Sequence, residues 1–288
     1  MDTTEGTGQP GSPRPGEPGP ADQRGQRGGR AGSANASGMG ALWERLTRLE
    51  HSVPAELRNL PRQVGREAVP AWRRVTQGEP RWQVSLAIAA AIALQLVVPS
   101  RLLPQPSWLY PTLDGLLAAG LIIANPRRIN RSSRLLRYAS LALIALISLV
   151  NVWSAERLIA DIITRSNTVA THAPTLLLDG GSIWLTNVIA FALWYWELDR
   201  GGPVARALAI KQYPDFQFVQ MVSPELAPPG WEPMFADYFY LSFTNASAFS
   251  PTDVMPMSRW AKMLMLIQSA ASLLTVALVI ARAVNILK

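Results

Sequence analysis

Apolar residues gather in long uninterrupted stretches along this chain, and polar residues are pushed into the gaps between them. Five stretches, at about 83–99, 108–125, 137–154, 182–197 and 259–285, are each long enough to cross an apolar layer of about 30 Å when modestly tilted. The first two are joined by "SRLLPQPS", whose prolines predict a tight turn. Between the third and fourth, "AERLIADIITR" sets Leu158, Ile159, Ile162 and Ile163 opposite Glu156, Arg157, Asp161 and Arg165. That helical period carries too much charge to span, and predicts a helix lying along the interface. After the fourth stretch, "GGP" at 201–203 is a helix stop, with glycine at the left-handed position and proline beyond it. The Pro-rich segment to Pro233 reads as an extra-membrane loop. A short apolar run, "FADYFYLSF", then leads through the polar turn "TNASAFSPTD" into the last long stretch. The pattern predicts an all-α, polytopic membrane helix bundle over 82–288, with about five spans and a short re-entrant or interfacial helix, like a pore helix, at 235–249.

The segments before residue 82 look different. Residues 1–40 are dominated by Gly, Pro, Ser, Arg and Gln with no periodic apolar positions, so they predict a disordered tail. From 41 to 81 the chain is Arg-rich and weakly amphipathic. Leu42, Trp43, Leu46 and Leu49 recur at helical spacing, but Pro54, Pro61 and Pro70 break any continuous helix. A short helix on an anionic membrane surface fits this stretch, and so does a helix packed on its own protein. Trp82, Trp108, Trp153, Trp184, Trp194, Trp196 and Trp260 fall near the predicted span ends, where an interfacial aromatic belt belongs.

Composition supports the membrane class. Of the 288 residues, 49% are hydrophobic and only 16% charged, against about 25% charged in an ordinary soluble domain. The net charge of +7 comes from arginines that bracket apolar runs rather than from one basic polar domain, so topology explains it better than nucleic acid does. The chain has no Cys, which removes disulfides and thiolate metal sites. His51 and His172 lie far apart, so no metal and no cofactor is expected. The loop 126–137, "PRRINRSSRLLR", holds five Arg and no acid, and by the positive-inside rule is cytoplasmic. The Arg excess at 73, 74 and 81 lies an even number of crossings away. The count therefore predicts a protein of the cell membrane with a cytoplasmic N-terminal tail and an external C-terminus.

Polar residues inside or beside the apolar runs are the candidate functional positions, because ionisable groups in lipid are costly. Glu197 and Asp199 sit at the C-terminal end of the fourth span, where the helix dipole disfavours acids. Arg200 and Arg206 are the nearby partners, forming either a structural ion-pair cluster or a cation site. Asp114 lies near the start of the second span, as an interfacial residue or a transport group. Asn151 and Asn187 fall within spans, where hydrogen bonding between helices is their ordinary use. On the last helix Gln268, Ser272, Thr275 and Arg282 make one stripe, predicted to face the bundle interior as a hydrogen-bonded seam or a water-lined path. In the polar turn, Thr244, Asn245, Ser247, Ser250 and Asp253 cluster between two membrane-buried helices.

The stretch 235–285, with "DYFYLSFTNASAFSPTD" where a pore helix and filter would stand, resembles the pore module of two-transmembrane potassium channels. Aligned on Asp253, the T-V-G-Y-G-D filter pattern becomes Ala248, Phe249, Ser250, Pro251, Thr252, Asp253. Both glycines are missing, so a carbonyl-lined potassium filter cannot form. The predicted topology also places this turn on the cytoplasmic side. "WYWELDRGGP" at 194–203, "PDFQF" at 214–218, the polar turn and "VIARAVNI" together are similar to a family of prokaryotic multi-spanning integral membrane proteins of unknown function. That resemblance implies a multi-spanning membrane protein and brings no activity with it.

No nucleophile elbow, P-loop or dinucleotide fingerprint is present, so an enzyme is not expected. The expected partner is the lipid bilayer, with a homo-oligomer as an open alternative and without nucleic acid. Two function classes follow. One is a channel-like or transporter-like permeation unit for small ions, with the polar turn at its constriction. The other is a non-permeating membrane scaffold or interaction protein.

Overall fold

A computed structural model describes residues 70–125, 133–164, 173–248 and 253–287. The predicted tail at 1–40, most of the juxtamembrane segment and Ser250 lie outside the described residues. The described chain is mostly helical: α1 (Trp82–Val97), α2 (Leu109–Ala124), α3 (Arg134–Thr164), α4 (Ala173–Leu198), the short α5 (Pro203–Ala207) and α6 (Val219–Val222), α7 (Phe235–Ser247) and α8 (Arg259–Leu287). Three are long and apolar enough to cross a membrane: α3, α4 with its one-turn extension to Gly201, and α8. The apolar α1 and α2 have 16 residues each, about 24 Å of helix.

The sidedness of the surface fits a lipid solvent. Leu86, Leu116, Ile123, Leu149, Leu266 and Ile280 are exposed on the outer faces, while Gln95, Asp114, Asn187, Gln268 and Ser272 are buried. A soluble bundle distributes these types the other way round. α4 is the central post, packed on by α1, α3, α7 and α8. At Gly180 an added Cβ would sit 2.7 Å from Val279 of α8, so glycine permits the close approach of these two helices.

The helices differ from the expected pattern in two places. α3 has 31 residues, about 46 Å, and runs without a break through the segment expected to be a separate interfacial helix. No Gly or Pro interrupts it, and Leu158, 2% exposed, packs in a cluster with Ala173 and Leu176 of α4, while Glu156 and Arg157 stay exposed. α4 likewise begins at Ala173, well before the expected residue 182, and carries the buried Asp179, which accepts from Arg101 Nη2 at 3.2 Å. The stretch expected to be all loop contains β1 (Phe216–Phe218), which pairs antiparallel with β2 (Val254–Pro256), Phe216 opposite Pro256 and Phe218 opposite Val254. This ribbon fixes the path of α7. Tyr238 near its start bonds the end of α4, Ser242 bonds Val188, and the chain returns to β2, beside the α4 end again. The excursion reaches about 16 Å along α4 and comes back.

Candidate functional site

The last turns of α7 close on the last helix. Asn245, 2% exposed, donates from Nδ2 to Gln268 Oε1 at 2.8 Å and to the Met265 carbonyl at 3.0 Å. Gln268 donates from Nε2 to Ser242 Oγ at 2.6 Å and accepts at Oε1 from Tyr195 Oη at 2.6 Å. Ser269 Oγ donates to Asn245 Oδ1 at 3.1 Å, and Ser242 Oγ to the Val188 carbonyl at 2.7 Å. One turn of α8 onward, Ser272 accepts from Asn187 Nδ2 at 3.1 Å. Helical spacing on α8 brings Gln268, Ser272 and Thr275 to one buried face, and Arg282 to a half-buried position. Thr275, Thr244 and Ser247 turn their hydroxyls back onto carbonyls of their own helices. Asp253 lies just before β2. Its carbonyl accepts from Val219 N, and its Oδ1 is buried without a partner. It does not cap α8, where Ser258 accepts from Ala261 N at 3.4 Å.

A second polar centre ties the end of α4 to everything around it. The chain reverses through Arg200 (φ 50), Gly201 (φ 85) and Gly202 (φ 99). At Gly202 a Cβ would meet the Glu197 carbonyl at 2.9 Å, so only glycine fits. Arg200 tolerates its left-handed backbone because it is held twice. Its amide donates to Asp215 Oδ2 at 2.9 Å and its guanidinium to the Trp72 carbonyl at 2.6 Å. Asp199, fully buried, accepts from the Asp215 and Phe216 amides at Oδ1 and from Tyr238 Oη at Oδ2. One carboxylate thus holds the helix end, β1 and α7.

The two arginines divide between two acids. Arg200 Nε does lie 3.7 Å from Asp199 Oδ2. Arg206 instead pairs with Glu79, Nη2 to Oε1 at 2.7 Å with Nε on the same oxygen. Its Nη1 donates to the Trp196 and Asp199 carbonyls. Burial pushes the Arg206 guanidinium down, but Tyr238, Glu79 and Asp199 outweigh it and hold it above the ordinary arginine range. Glu197 takes Ser140 Oγ at 2.9 Å. Two of the expected belt tryptophans hydrogen-bond to acids: Trp196 Nε1 donates to Glu79 at 2.6 Å, and Trp260 Nε1 to Asp215 at 2.9 Å. Trp82 and Trp108 are largely exposed at helix starts.

Asp114 is fully buried in the protein, accepting from Gln95 Nε2 of α1 at 3.1 Å. Asn151 is buried on α3. Among the described residues no group of three or more His, Cys, Asp or Glu is placed to hold a metal. A cavity of about 470 Å³ opens where α1 and α3 begin and α2 and α4 end, lined by Arg81, Asn125, Arg134, Arg137 and Glu197 with apolar side chains.

No family model, curated protein or solved structure matches the chain. Its function is therefore read from these three centres.

Sequence reasoning missed Glu79, Asp215, Tyr238 and Arg81. Glu79 had a faint signal, being the lone acid in "AWRRVTQGEPR". Asp215 and Tyr238 had none, since only the β1–β2 ribbon carries Asp215 to the end of α4.

Proposed function

We propose that the chain is a non-permeating membrane scaffold: a five-span bundle with α1 and α2 crossing as tilted short helices, its N-terminal side cytoplasmic, and α7 entering and leaving from that same side. The observation that carries this reading is the closed seam of Tyr195, Ser242, Asn245, Gln268 and Ser269, whose side chains satisfy one another across α4, α7 and α8. A water-lined path would leave these donors and acceptors to water. Here they bond to protein. The polar residues on the last turns of α7 serve as a joint between helices.

The absence of cysteine allows a direct test with Ser272→Cys. The scaffold reading expects no reaction with a membrane-impermeant thiol reagent until the protein is unfolded. Rapid labelling of the folded variant from either side indicates a water path and overturns the reading.

A further inference from the structure

The cavity at the α1–α4 ends contains a cation with no counter-charge among the described residues. Arg81 is 7% exposed. Among the described residues its Nη1 donates to the Asn125 carbonyl at 3.4 Å, and its buried Nε has no partner. Burial pushes its guanidinium below the ordinary arginine range. An unpaired buried charge is unfavourable until an anion joins it. Arg134 and Arg137 line the same cavity from the first turns of α3, whose N-terminus adds partial positive charge. Against these three arginines the described wall offers one carboxylate, Glu197, engaged by Ser140.

The rest of the lining decides what kind of anion fits. Val84, Ile88, Leu121 and Leu136 make much of the wall apolar, more than a free inorganic ion uses. Asn125, 4% exposed, also lines the cavity with its Oδ1 unpartnered, an acceptor suited to a ligand hydroxyl. The cavity lies at one end of the bundle, where helix ends meet, and basic pockets at that level suit anionic headgroups. Its volume is within the range of small-ligand sites.

We propose that this cavity binds a phosphate-bearing amphiphile, specifically an anionic phospholipid of the phosphoglycerol type. The phosphate sits among Arg81, Arg134 and Arg137, a headgroup hydroxyl donates to Asn125, and the first part of an acyl chain lies along Val84 and Leu136. A choline headgroup is disfavoured by the same arginines.

The test uses the full chain, delipidated in a non-ionic detergent. Thermal unfolding is followed with short-chain phosphatidylglycerol, phosphatidylcholine of the same chain length, or inorganic phosphate. Phosphatidylglycerol is expected to raise the melting temperature, with at least tenfold higher apparent affinity than phosphatidylcholine, and inorganic phosphate to give no comparable shift. Arg81→Gln combined with Arg137→Gln should remove the preference. Leu136→Trp, which keeps the arginines and fills the apolar wall, should weaken phosphatidylglycerol binding at least tenfold and serves if the arginine variant does not fold. Equal shifts from the two lipids, an equal shift from inorganic phosphate, or an undiminished preference in the folded variants each overturns the proposal.

Discussion

Glu79 and Arg206 show how much a single buried pair organises here. Their side chains are 7% and 3% exposed, and Glu79 also receives the Trp196 indole. Removing one partner of such a pair leaves the other as an uncompensated buried charge, which costs about 3–5 kcal/mol. Glu79→Ala is therefore expected to lower thermal stability in detergent by about that amount. A loss below about 1 kcal/mol, the range of an exposed pair, would show that Arg206 finds another acceptor. The pair was half legible in the sequence. Arg206 stood out beside "WELDRGGP", but its partner lies 127 positions away, and nothing local links the two. The left-handed turn was easier to read, because two glycines before a proline mark it directly.

The helices themselves were legible wherever membrane length and apolar content agree. The expected spans at 83–99, 108–125 and 259–285 each lie within two residues of α1, α2 and α8. α3 and α4 run longer than expected because hydropathy reports where lipid solvates a helix, while an uninterrupted helix former continues into polar surroundings. The β1–β2 ribbon was invisible for a different reason. Each strand has three residues, too few for any alternation to show. Asn245 and Gln268 were both singled out, but their mutual bond appears only once α7 lies against α8. Since they share one network, their replacements should not add. Asn245→Leu and Gln268→Leu are each expected to destabilise, and the double variant to lose less than the sum by about 0.5–3 kcal/mol. Strict additivity in thermal unfolding would separate the two residues energetically.

The molecule as a whole combines three long apolar helices with two shorter ones, and the number of crossings depends on α1 and α2. Their connection carries Ser107, and Ser133 immediately precedes α3 at the opposite end of the pair. In the five-span reading Ser133→Cys is labelled by an impermeant thiol reagent only from the cytoplasmic side and Ser107→Cys only from outside. Labelling of both from one side would reduce the bundle to its three long crossings. What that bundle does turns on whether the turn after α7 is a joint or a passage. Ion flux through purified protein in sealed liposomes decides this most directly. The closed seam of Asn245, Gln268 and Ser242 predicts no flux of small cations or anions above protein-free vesicles. Cation flux that appears with the unmodified protein and falls in a folded Asp253→Asn variant would contradict the scaffold and make the turn a conducting constriction.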